Sequence, residues 1–152
     1  MRNAMALPFD QNNQQSVQYR AQALVDAGKS FTSDSTYEAL VVSELAKMPS
    51  AVEQTIVMAQ LAAKTHPESW DAQNMIAEIL ENLKRPAEAV PYRAAQISLD
   101  PANWMPMITY AADLEAVNKK SEAVAVYQRV IAIAPSTAAE FKTAKDALTR
   151  LG

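Results

Sequence analysis

The chain of 152 residues has no cysteine, 2 glycines, one histidine and only 7% aromatic residues. The lack of cysteine removes disulfides, thiolate nucleophiles and thiolate-bound metals together. It leaves the compartment open, because a domain of this length needs no covalent staples. Two glycines are too few for a protein built on tight β-turns, whose left-handed backbone calls for glycine, and too few for a phosphate-cradling loop. No apolar run approaches the length of a membrane span. The first ten residues hold a short apolar patch broken by Pro8, not the longer stretch of a secretory leader. Fourteen basic residues against 17 acidic ones give a net charge of −3 and a pI near 5.2, which argues against a general nucleic-acid backbone binder. The lone histidine, His66, precedes Pro67 in a predicted turn with no nucleophile or carboxylate constellation around it. No catalytic residue, metal site or cofactor is expected.

What is present is a period. Pro67, Pro101 and Pro135 stand 34 residues apart. Sliding residues 67–100 onto 101–134 superposes Trp70 on Trp104, Ala77 on Ala111, Leu80 on Leu114 and Glu81 on Glu115. The same shift lays Glu88-Ala89-Val90 on Glu122-Ala123-Val124, and Ile97 on Ile131. Self-similarity at a fixed spacing of this size marks a stacked repeat protein. With 49% apolar residues and abundant alanine, leucine, glutamate and lysine, the repeating unit is helical.

Along the chain, residues 1–13 read as a loose lead-in, and residues 14–152 as one domain. Its first part, residues 14–28, holds a helix near 16–27 with Val17, Ala21, Leu24 and Val25 on one face and Gly28 as a left-handed stop. Residues 29–34 are a loop. Ser35 with Glu38, and Ser50 with Glu53, have the spacing of capping boxes and open helices near 36–47 and 51–65. Residues 36–69 are then a degenerate first repeat. The second, 70–103, predicts helices near 70–83 and 86–98, with Pro86 suited to a first turn. Pro91, inside the latter, predicts a kink in a retained helix. The third, 104–137, predicts helices near 104–117 and 121–133 with Ser121 as N-cap, and Ser136 caps a final helix within 137–151.

Several side chains invite a sharper reading. Glu78, Glu81 and Glu115 could pair as acids, but surface carboxylates on amphipathic helices explain them better. Lys84-Arg85 and Lys119-Lys120 occupy matching inter-helix turns, where cations complement the C-terminal ends of the preceding helices. Met105 and Met107 cannot both face one core, so one of them lies on an accessible surface. Trp70 and Trp104 read as inter-repeat packing at the start of each first helix.

These residues resemble the tetratricopeptide repeat (TPR) family, whose unit is a 34-residue helix–turn–helix. The likeness covers about residues 36–151 and is carried by Ala77 and Ala111, by Ala89 and Ala123 within their acidic–Ala–aliphatic triplets, by Tyr127, and by the closing prolines 67, 101 and 135. Both tryptophans lie three residues earlier than the family's usual one, Arg93 replaces the bulky residue seen as Tyr127, and Thr55 stands where the first repeat's alanine belongs. The resemblance implies an all-α, right-handed superhelix of antiparallel helix pairs, with about three repeats and a flanking helix at each end. It implies a non-catalytic scaffold that binds a protein or peptide partner on a concave groove. The family's groove positions fall on Tyr37, Leu40 and Glu44, on Asp71, Asn74 and Glu78, and on Met105, Ile108, Thr109 and Ala112. That set lacks the lysines and arginine of a carboxylate clamp. A mildly acidic, partly apolar groove suits a partner with apolar and basic groups.

A narrower likeness, in Leu7-Pro8-Phe9-Asp10 and in the ending from Asp100-Pro101 to Gly152, is to the C-terminal TPR module of bacterial O-antigen ligase/polymerase-type membrane proteins. It implies an extracytoplasmic accessory domain whose catalytic part lies outside this chain. A native start at Met1 implies a cytoplasmic one. On either reading the chain itself inserts in no membrane. The N-terminal helix either caps its own stack or docks on a second copy, which leaves a homo-oligomer open.

Overall fold

A computed structural model describes residues 15, 18, 21–23, 25–26 and 35–152, with residues 35–38 described as backbone only. The lead-in, Gly28, the loop at 29–34 and the Ser35–Glu38 capping box lie outside the described side chains. So do Val17 and Leu24, two of the four residues assigned to the first helix's apolar face. The other two, Ala21 and Val25, are helical and buried.

Seven helices can be bounded among the described residues: α1 (Ser35–Ala46), α2 (Val52–Thr65), α3 (Trp70–Asn82), α4 (Pro86–Leu99), α5 (Met105–Ala116), α6 (Lys120–Ile133) and α7 (Ala139–Leu151). No strand occurs among the described residues. None of the described helices is long and apolar enough to cross a membrane. The chain divides into two compact units, Met1–Pro67 and Glu68–Gly152, at the first of the three periodic prolines.

In the first unit α1 packs on α2. On α1 Val41, Val42 and Leu45 are buried, and on α2 Ile56, Met58, Ala59, Ala62 and Ala63. Thr55, in the slot where alanine recurs later, is buried because its hydroxyl donates to the Ala51 carbonyl at 2.8 Å, so the extra polar atom is satisfied within its own helix. Ser50 is not the cap expected of it. Ala51 N–H closes a turn onto the Met48 carbonyl at 2.9 Å. Ala51 then occupies the N-cap position with φ −105° and ψ 25°, without a side-chain cap bond.

In the second unit α3 packs on α4, α4 on α5, α5 on α6 and α6 on α7, and α7 also reaches α5. The small residues superposed by the 34-residue shift, Ala77 with Ala111 and Ala89 with Ala123, are all fully buried. Their size allows close helix approach, while Leu80, Met107, Leu114 and Val130 fill the layers between. Each such large apolar side chain contributes about 1.5–3 kcal/mol of burial. Trp104 lies half-buried against this core, with Phe141, Leu148 and Leu151 closing it from α7. The outer face of α7 is polar, with Lys142, Lys145, Asp146 and Arg150 exposed.

Three helix starts in the second unit also differ from expectation. Ser69, not singled out from sequence, caps α3 by accepting from Ala72 N–H at 3.2 Å. Ser121 falls inside α6, whose N-cap is Lys119, because the preceding turn closes early. Ser136 sits in a turn closed by Ala138 N–H onto the Pro135 carbonyl at 2.9 Å, so α7 begins at Ala139 without a side-chain cap. Pro86 opens α4 in its first turn, and α4 runs unbroken through Pro91, whose ring is exposed.

Candidate functional site

The first helix of each repeat has a common electrical character. The sequences of α1, α3 and α5 carry Glu38, Glu44, Asp71, Glu78, Glu81, Asp113 and Glu115, and not one lysine or arginine. The cations of the repeats lie on α2, α4 and α6 and in the turns. On α3, Asp71, Asn74 and Glu78 share a face at helical spacing. Asp71 and Glu78 are exposed and Asn74 is half-buried. On α5 the matching face presents Met105 at 60% exposure, Ala112 exposed, and Ile108 and Thr109 half-buried. Met107, two residues on from Met105, is fully buried, so the two methionines divide between surface and core as their spacing requires.

In the first unit Leu40 is 60% exposed and Glu44 pairs with Lys47 at 2.5 Å, while the side chain of Tyr37 lies outside the described residues. Burial on α1 falls at Val41, Val42 and Leu45, and on α3 at Ile76, Ala77 and Leu80, an offset of 35. The second helices, Val52–Thr65 and Pro86–Leu99, keep the offset of 34. The first repeat therefore carries one extra residue in its inter-helix turn around Pro49. Leu40 then matches Met75 and Thr109, and Glu44 matches Ile79 and Asp113, one position from where the plain period sets them.

Behind the α3 face lies a polar cluster that sequence reasoning did not assemble. Arg93 of α4 is only 4% exposed. Its Nε and Nη2 donate to the two carboxylate oxygens of Glu81 at 2.6 and 2.8 Å, and its Nη1 donates to Asn74 Oδ1 at 2.6 Å and Gln96 Oε1 at 2.7 Å. Fully buried Gln96 donates in turn to Asn74 Oδ1 at 3.0 Å, and Asn74 Nδ2 donates to Glu78 Oε1 at 3.0 Å. Asp113 of α5 is 7% exposed beside this pair, with its Oδ2 buried and without a hydrogen-bond donor. Burial, and then the charge of Glu81, push the Asp113 carboxyl up to about 7, against a smaller opposing pull from Arg93. Glu81 is thus no surface carboxylate: its side chain keeps 16% exposure.

The third repeat fills the same positions differently. Glu115, the counterpart of Glu81, accepts from the Tyr127 hydroxyl at 2.8 Å, and Tyr127 stands where Arg93 does. The missing cation arrives from α7, where Arg150 Nη1 and Nη2 donate to Glu115 at 2.8 and 3.0 Å. Arg150 holds the Glu115 carboxyl below its usual range, aided by Tyr127. Burial and the Glu115 acceptor push the Tyr127 phenol up to about 12. Glu115, with 19% of its side chain exposed, is likewise not a plain surface group; Glu78 is exposed as expected.

The two basic turns share one backbone closure. Arg85 N–H reaches the Leu80 carbonyl at 2.8 Å and Lys84 N–H the Glu81 carbonyl at 2.9 Å, and the same two bonds recur from Lys119 to Leu114 and Asn118 to Glu115. These are Schellman closures that place Lys84 (φ 60°) and Asn118 (φ 62°) in the left-handed region. The side chains of Arg85 and Lys119 turn forward, to Glu88 at 2.6 Å and Glu122 at 3.2 Å, pairing with the next helix. Among the described residues no cluster of His, Asp or Glu could hold a metal ion.

No protein-family model and no curated protein matches the sequence. Solved structures do. A TPR protein with an unusual peptide-binding site, YrrB, superposes with a TM-score of 0.64 at 17% identity, over 90% of this chain and 70% of its own. An RS-1 MamA double mutant superposes with a TM-score of 0.62 at 14% identity, over 90% of this chain and 84% of its own. Another MamA structure gives 0.62 at 9% identity, over 90% and 87%. With the period, the buried alanine slots and the repeated turn closures, these likenesses identify the chain's fold as a TPR-like helical repeat.

Proposed function

We propose that this chain is a non-catalytic interaction module that holds a peptide or helix bearing apolar and basic side chains. The observation that carries the reading is the character of the first-helix faces: α5 presents exposed Met105 with its apolar neighbours, and α3 presents exposed Asp71 and Glu78, on helices without a cation. An apolar surface supplies affinity and the uncompensated carboxylates supply attraction and register for a basic partner. Asn74 supports the face from within, because its carboxamide is already bonded to Arg93, Gln96 and Glu78. Tyr37, Leu40 and Glu44 belong to the proposal as positions on the first unit's own first helix. One structural relative is described as having a peptide-binding site, which accords with this use of the fold. The second reading, an accessory domain of a membrane glycopolymer ligase or polymerase, rests on the short sequence stretches alone.

The test is binding of a lysine–leucine amphipathic peptide, followed by fluorescence anisotropy beside its glutamate–leucine counterpart. The lysine peptide should bind more tightly, and Glu78→Lys should weaken it about tenfold, some 1.4 kcal/mol. Met105→Asp should weaken it as well. Equal binding of both peptides, or no effect of Glu78→Lys, would overturn the reading.

A further inference from the structure

We infer that Glu81, Arg93 and Asp113 form a proton-operated latch between the second and third repeats, closed when Asp113 carries a proton, which holds the α3 face in its binding arrangement. The inference rests on the reading of that face as the binding surface, and it concerns how the face is regulated.

The geometry leaves one charge too many. Arg93 spends its guanidinium on Glu81, Asn74 and Gln96, so one cation is matched by one carboxylate. Asp113 then brings a second carboxylate from α5, and no second cation accompanies it. The charged groups acting on it are Glu81 from α3 and Arg93 from α4. On the α6 and α7 side, the cations Lys120 and Arg150 act on Glu115 instead. Tyr127 of α6 is likewise engaged by Glu115. With both acids ionised the cluster holds a net negative charge away from water, and Asp113 Oδ2 has no donor. One proton on Asp113 cures both faults: the charge balances, and the carboxyl gains a donor to offer Glu81. The chain of contacts then runs from Asp113 through Glu81, Arg93 and Asn74 to Glu78, which is exposed on the proposed binding face.

The direction follows from linkage. Unfolded Asp113 loses its proton near the ordinary value of 3.8, whereas the folded carboxyl holds it to about 7. Folding therefore takes up a proton between these values, and stability falls as pH rises through that window. Between pH 6 and pH 8 the folding equilibrium constant should drop about tenfold on this account. Above pH 8 the effect is complete.

The experiment follows urea unfolding of the full chain and its affinity for the lysine–leucine peptide from pH 6 to 8. Wild type is compared with Asp113→Asn, which keeps the shape, needs no proton and can donate to Glu81. Glu81→Gln, which removes the opposing charge, serves as the second variant. The wild type should lose about tenfold in folding constant and lose peptide affinity over this range, while Asp113→Asn should lose neither and exceed the wild type at pH 8. Parallel pH profiles for wild type and both variants would overturn the latch. A flattened stability profile with unchanged affinity profiles would overturn its link to the binding face. A peptide that binds at no pH sinks the interaction reading, and the unfolding profiles then decide the latch by themselves.

Discussion

Arg93→Ala should be among the most damaging single changes in the second unit, and its cost can be worked from the contacts. The side chain is 4% exposed and makes two charge-assisted bonds to Glu81 and one each to Asn74 and Gln96. Truncation does more than delete four bonds. It leaves Glu81 without its cation at 16% side-chain exposure beside Asp113, and it strands the Oε1 of Gln96, which is fully buried. Breaking one partner of a buried ion pair costs about 3–5 kcal/mol, chiefly because the surviving charge is uncompensated. Against a total stability of about 5–15 kcal/mol this is a large share. In urea, with a slope of about 1–3 kcal/mol per molar, the midpoint followed by helical circular dichroism at pH 7 should fall by roughly 2 M. Combining Arg93→Ala with Glu81→Ala should recover part of the loss, because the stranded charge leaves too. A shift below roughly 0.5 M would mean the pair behaves like an exposed one and would refute the reasoning. Lys119→Ala, at the exposed pair with Glu122, is the control and should leave the midpoint in place.

Other outcomes follow from the same contacts. Lys84→Gly should stabilise the chain by roughly 1 kcal/mol, since Lys84 holds a left-handed φ of 60° that glycine adopts without strain; a lower melting temperature would contradict the closure assigned to that turn. Asn118→Gly should gain less, because asparagine tolerates that region. Met107→Ala should cost about 2–5 kcal/mol and Met105→Ala almost nothing in unfolding midpoint, although the two are neighbours in sequence. Tyr127→Phe should cost about 1 kcal/mol by stranding part of Glu115's acceptor capacity. Arg150→Ala should return the Glu115 carboxyl towards its usual range in an NMR titration, because Arg150 is the main cause of its depression. The stability that this depression supplies is present above the ordinary carboxylate range and is lost as pH falls through the folded value.

The frame was legible because its signal is periodic. Ala77 and Ala111, Ala89 and Ala123, and Leu80 and Leu114 recur at 34 and are buried where the helices cross. Helix bounds read from them agree with the structure to within a residue or two. The first repeat resisted because its extra turn residue shifts α1 against α2, and a shift of one residue moves every candidate face position by about 100° around the helix. The polar cluster resisted for another reason: burial of an arginine is uncommon, so Arg93 read as a departure and Glu81 as surface. One signal did exist. Glu81 stands 12 residues before Arg93, and Glu115 the same 12 before Tyr127, a repeated acceptor facing a repeated donor position. Ser50 and Ser136 misled because each sits in a turn that closes by backbone bonds, and Ser121 because the preceding turn closes early enough to leave it inside α6.

In a chain whose copies repeat the residues that hold the frame, the positions that do not repeat carry what is particular to it. Two such positions meet at one junction. Position 93 is arginine where 127 is a tyrosine that shares its glutamate with Arg150, and position 113 is aspartate where 79 is isoleucine. Packing alone does not account for that pair. An apolar pair of similar volume is often as stable as a buried ionic one, and a second acid without a second cation is worse than either. Asp113 brings no second cation with it, and burial together with the Glu81 charge pushes its carboxyl up to about 7. What it adds to the junction is a dependence on protons, transmitted through Arg93 and Asn74 to the α3 face, where Asp71 and Glu78 are exposed on a helix that carries no lysine or arginine.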